Sequence, residues 1–94
     1  MLTIYKYPIA VTDEQIIGVP SSGFQDSLAD QFLSLKVQNG CPYLWVMVDP
    51  SNQVITRHIS IRGTGHDCEG LLKKEYLGSF TFLEDSLVFH VFGH

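Results

Sequence analysis

Apolar residues occupy both parities of the run Tyr43, Leu44, Trp45, Val46, Met47 and Val48. A strand with one wet face alternates apolar and polar positions, so this run predicts an extended segment covered on both sides by core, partner chain or ligand. Leu44, Val46 and Val48 share one side, and Tyr43, Trp45 and Met47 share the other. Just before the run stand Asn39-Gly40 and Cys41-Pro42. Asn-Gly is the preferred two-residue hairpin connection because both positions need positive φ. Ahead of that turn Leu33, Leu35 and Val37 alternate with Ser34, Lys36 and Gln38, which predicts a half-buried partner strand.

A period of two also marks Leu2 to Tyr7, closed by Pro8, and Val54 to Arg62. Gln15 to Val19 is shorter, and Pro20 behind it predicts an edge or a bend. Tyr76 to Leu83 and Ser86 to Phe92 read as a closing hairpin around Glu84-Asp85, with a bulge or close approach at Gly78. Phe24, Leu28 and Phe32 recur at spacing four behind Ser21-Ser22-Gly23, which predicts about two turns of helix from Gly23 to Gln31. The polar tract Asp67 to Lys74 has room for a single helical turn. The expected fold is all-β: a small antiparallel sandwich or partly open barrel of about six strands with one short helix. Ninety-four residues suffice for one domain, 1–94, with one modest core.

Composition narrows the ways such a domain can act. A hydrophobic share of 45% against 17% charged residues argues for a packed globule over a disordered chain. With ten acidic and six basic residues the net charge is -4, too little positive charge for non-specific nucleic-acid binding. No apolar run approaches the roughly 20 residues of a membrane span. Cys41 and Cys68 are the only thiols, and Met1 to Tyr5 already reads as strand, so the chain is expected in a reducing interior.

Candidate chemistry is sparse. Gly63-Thr64-Gly65-His66 is a loop whose amides can form an anion-binding nest, with Arg62 and His66 adding charge and His58 assisting from the same strand. The competing reading is a strand-exit turn, and it carries more weight. His58, His66, Asp67 and Cys68 are metal-ligand types without the paired spacing of a closed zinc site, so no metal and no cofactor is expected. His58-Ile59-Ser60 matches the His-x-Ser element of two-histidine phosphoesterases, which need it twice, and His90-Val91-Phe92 does not repeat it. His90 on an apolar strand reads as a hydrogen-bonded core or interface histidine. No serine stands in a nucleophile elbow, so no catalytic set is assigned. Tyr43, Trp45 and Met47 are core or subunit-interface material, and Trp45→Ala would then cost roughly 3–5 kcal/mol or dissociate a homo-oligomer.

The order Ile4-Tyr5-Lys6-Tyr7-Pro8, Val37 to Trp45, Val48-Asp49, Gly63 to His66, Tyr76 to Phe80 and Leu87 to Phe92 resembles a family of short uncharacterised phage-encoded proteins. The tract Phe24 to Phe32 is longer here than the corresponding family loop. The resemblance implies no activity. It implies an accessory, host-takeover or counter-defence factor in the cytoplasm of an infected bacterium, acting by binding. Such a factor sequesters a small nucleotide messenger, with phosphate on Arg62 to His66 and a base on Tyr43 or Trp45, or it blocks a host protein with its aromatic face. The alternatives are a small phosphoesterase using His58, His66 and Asp67, and a structural virion component.

Overall fold

The computed structural model describes residues 1–23, 27–82, 84 and 86–94. The fold is all-β, with seven strands: β1 (Thr3–Pro8), β2 (Glu14–Pro20), β3 (Phe32–Gln38), β4 (Cys41–Val48), β5 (Val54–Gly63), β6 (Tyr76–Phe82) and β7 (Leu87–Gly93). Every extended run in the sequence forms a strand, which gives one more than expected. They form two antiparallel sheets, β1-β4-β3 and β2-β5-β7-β6, a sandwich rather than a closed barrel. β2 is an edge strand, as Pro20 implied.

The Asn39-Gly40 turn takes the backbone its residues favour, with φ of 52° and 77°, and closes on the pair Gln38↔Cys41. Pro42 does not disturb the register, since it pairs with Val37 and its carbonyl accepts the Ile9 N–H at 3.0 Å. Gly78 sits at the expected bulge in β6 with φ of 145°, where a Cβ would come 3.5 Å from Leu35 of β3. At this corner the two sheets pack edge against edge.

The helix is shorter than its apolar spacing predicted. It spans α1 (Leu28–Gln31), capped by the Ser27 side chain, with Asp30 closing a reciprocal capping box. Phe24, at the start of the expected helix, lies outside the described residues, as do Leu83 and Asp85 of the last hairpin. Phe32, taken as the third helical contact, is the first residue of β3 opposite Val46. A bulge between Phe32 and Ser34 then displaces Leu33, which is exposed instead of sharing the inner face with Leu35. A single 3-10 turn at Lys73–Glu75 occupies the polar connection.

One buried cluster fills the space between the sheets. Leu44, Val46 and Val48 of the central strand β4 are 0% exposed and face Ile59, Ile61, Val91, Leu77 and Phe80. Gln31 is buried among them and joins both sheets. Its Nε2 donates to the carbonyls of Pro20 at 2.8 Å and Met47 at 3.0 Å, and its Oε1 accepts from Arg57 Nη2 at 2.9 Å.

Candidate functional site

The second sheet covers β4 on one face only. Tyr43, Trp45 and Met47 point to the outer side of the three-stranded sheet and are half-buried, so of the expected covers the core supplies only the inner one. Their cover comes from neighbours within the sheet: Ile4 pairs with Met47, Lys6 and Ser34 flank Trp45, and Lys36 lies opposite Tyr43. The Tyr43 and Trp45 rings are 6.0 Å apart and tilted by 55°. Lys6 reaches across them, its Nζ 4.2 Å from the centroid of Tyr43 and 5.7 Å from that of Trp45, and donates to Gln38 Oε1 at 2.8 Å. Leu2, Thr3, Ile4 and Met47 line an open groove of about 370 Å³ beside the rings. None of the ten acidic residues lies on β1, β3 or β4, which carry Lys6 and Lys36. This face is therefore aromatic and basic in a chain that is acidic as a whole.

The Gly63–His66 loop is built mainly as a turn. Thr64 N–H donates to the Val88 carbonyl at 3.2 Å and His66 N–H to the Gly63 carbonyl at 3.0 Å, which engages two of the amides a nest would use. The His66 ring folds back on Gly63, where a Cβ would meet its Cε1 at 3.0 Å. Beside the loop lies a groove of about 420 Å³ lined by Gly63, Thr64, His66, Leu87, Val88 and Phe89.

Arg62 serves as a brace. Its Nη2 pairs with Glu14 Oε1 at 2.7 Å, Nη1 donates to the Asp13 carbonyl at 2.7 Å and Nε to the Asp67 carbonyl at 3.0 Å. The Ser60 hydroxyl donates to Glu14 Oε2 at 2.6 Å. Ser60 first, and then Arg62, hold the Glu14 carboxyl below its ordinary carboxylate range, and the same ion pair raises Arg62. A depressed acid stabilises the fold above its unfolded value and loses that contribution as pH falls through its folded one. Glu14 is 59% exposed, so the contribution stays under about 1 kcal/mol. Glu14→Gln is expected to flatten the fall in melting temperature between about pH 5 and pH 3 relative to the parent protein. Parallel curves over that interval would contradict this role of Glu14.

His58 stands apart from the loop. It lies on the outer side of β5 against the His94 ring, centroids 5.7 Å apart, and five strand positions, roughly 16 Å, from Gly63. The structure thus unites Arg62 with Gly63, Thr64, Gly65 and His66, leaves His58 farther along the strand, and puts Tyr43, Trp45 and Met47 on the outer side of the other sheet. Within one protomer the rings and the loop do not share a site.

Sequence reasoning found the polar side of β5 but did not link it to the partners that complete it on the outer side of the four-stranded sheet. His90 is hydrogen-bonded, as expected, but outside the core, its Nε2 2.8 Å from Thr64 Oγ1 and its Nδ1 2.9 Å from Tyr76 Oη. His94 Nε2 lies 3.4 Å from Ser60 Oγ, and its Nδ1 lies 3.8 Å from Glu75 Oε2. The usable signal was parity, since Arg62 pairs with His90 and Ser60 with Phe92 on one face. Ser60 is only 1% exposed and its hydroxyl is engaged by Glu14, so this row is arranged as a brace and not as an accessible nucleophile. Among the described residues no three His, Cys, Asp or Glu side chains converge to hold a metal ion, and no helix is long and apolar enough to cross a membrane.

The fold defines a small two-sheet all-β protein with one aromatic, basic face and one braced polar face. Residues 1–94 match the family described as Domain of unknown function (DUF7352), and the chain belongs to that family. No curated protein and no solved structure matches it.

Proposed function

We propose that this chain is a phage accessory protein that acts by contact, blocking a host protein in the cytoplasm of the infected bacterium. The observation that carries the reading is the outer face of β4. Tyr43, Trp45 and Met47 are held partly exposed on a strand whose opposite side is fully buried, so the rings are presented rigidly. Rigid aromatics and Met at the centre of a patch are the residues that dominate interface energetics. The groove at Met47 beside the rings is open, which suits a protein surface better than a small ligand that needs enclosure.

The test is cross-linking in the host, followed by titration of the purified partner with the parent protein and with Trp45→Ala. Trp45→Ala is expected to weaken binding about 100-fold, in the range of an interface hot spot, while the protein still melts cooperatively. Unchanged affinity in a folded Trp45→Ala protein would overturn the reading. The groove beside Gly63, Thr64 and His66 favours a second version, capture of a small nucleotide messenger. In that version a cyclic nucleotide incubated with the protein returns intact on heat release, whereas a phosphoesterase would return it cleaved.

A further inference from the structure

Among the described residues no strand pairs with the outer edge of β1, so the three-stranded sheet has an open edge as well as a face, and the two are in register. Ile9 N–H donates to the Pro42 carbonyl, so these residues form a hydrogen-bonded pair. The register runs unbroken from Pro8↔Tyr43 to Thr3↔Val48, and antiparallel ladders alternate. Tyr7, Tyr5 and Thr3 therefore direct their backbone groups toward β4, while the N–H and C=O groups of Ile4 and Lys6 point to the open side of β1. Pro8 falls on the same open side, where its missing N–H has no strand to serve.

The same parity places the side chains of Ile4 and Lys6 on the outer face beside Met47 and Trp45. Leu2 is 54% exposed and Ile4 56%, and together they wall the groove that ends at Met47. Charge selects the occupant. A second copy would bring its own Lys6 to this edge, and its Asp49, just beyond the end of β4, is already paired with its own Met1 amino group at 3.2 Å. A strand with acidic side chains at alternate positions supplies a carboxylate, and the four-carbon stem of Lys6 lets its ammonium swing from Gln38 to meet it.

We propose that β1 is a docking edge for an extended acidic segment of a partner protein, which adds as a fourth strand along Ile4 and Lys6 and seats an apolar side chain in the groove. The proposal rests on the contact reading above and names the chemistry of the partner.

The probe is a capped, fluorescein-labelled octapeptide of alternating valine and glutamate, titrated by anisotropy. Its controls are the lysine-for-glutamate counterpart and a version N-methylated at alternate amides. The acidic peptide is expected to bind at least tenfold more tightly than the lysine peptide. N-methylation on the pairing side removes that binding, and Lys6→Glu, shown by a cooperative melt to be folded, reverses the preference. Equal binding of both peptides overturns the proposal. So does an unchanged preference in Lys6→Glu, or a protein that pairs with itself along β1 and excludes the peptide. These failures leave the contact reading standing, because that reading is decided by Trp45→Ala with the intact partner.

Discussion

Gln31→Leu is expected to lower the stability of the fold by about 3–5 kcal/mol, although leucine matches glutamine in size. Gln31 is 0% exposed and its amide makes three hydrogen bonds in the interior, to Pro20, Met47 and Arg57. The bond to Met47 has a structural reason. β3 starts at Phe32 opposite Val46, so it ends one residue short of Met47, and the Gln31 side chain takes the place of the next strand residue. The bonds to Pro20 and Arg57 carry the link into the second sheet. Each buried polar group that loses its partner costs about 1–3 kcal/mol, which falls on the Pro20 and Met47 carbonyls, while the Arg57 guanidinium, 8% exposed, loses one of its contacts. Chemical denaturation measures the effect. A loss below about 1 kcal/mol at unchanged denaturant slope would show that the two sheets do not depend on this link.

Leu44→Ala and Trp45→Ala are expected to part sharply although they are neighbours in sequence. Leu44 is 0% exposed at the centre of the three-stranded sheet, and its truncation leaves a cavity that costs about 2–5 kcal/mol. Trp45 lies on the outer face and is half-buried, so its truncation costs roughly 1–2 kcal/mol, less than full burial of an indole implies. Leu44→Ala should therefore lose binding only as far as it unfolds, while Trp45→Ala should lose binding in a folded protein. Denaturation and titration on the same pair of variants separate the two. A Trp45→Ala protein as unstable as Leu44→Ala would mean that the indole is core and that the face is not presented for contact.

These effects fall on residues that the one-dimensional pattern treats alike. Period two in the run from Tyr43 to Val48 located a strand and its two faces correctly, because side chains alternate whatever the strand packs against. It could not say which face is core. That depends on where the second sheet lies, and the second sheet comes from residues 14–20, 54–63, 76–82 and 87–93. Spacing four at Phe24, Leu28 and Phe32 suggested a longer helix than forms. Phe32 is apolar because it faces Val46 across a strand pair, and such a contact is indistinguishable in sequence from one along a helix. The candidate ligand residues show the same limit. Arg62 and His66 are close along the chain and stay close in space, whereas His58 and Trp45 are carried off by strand length and by sheet membership.

Local chemistry was enough to mark the Asn39-Gly40 turn, the Gly78 bulge, the edge position of the strand before Pro20 and the all-β class, because each follows from the backbone preference of a few adjacent residues. Long-range pairing decided the rest: which strands share a sheet, which half of β4 is wet, why Gln31 is buried, and how a chain of net charge -4 gathers three strands without an acidic residue into one sheet. Those features arise from residues distant in sequence meeting across sheets, and no periodicity along the chain encodes the partner of a strand.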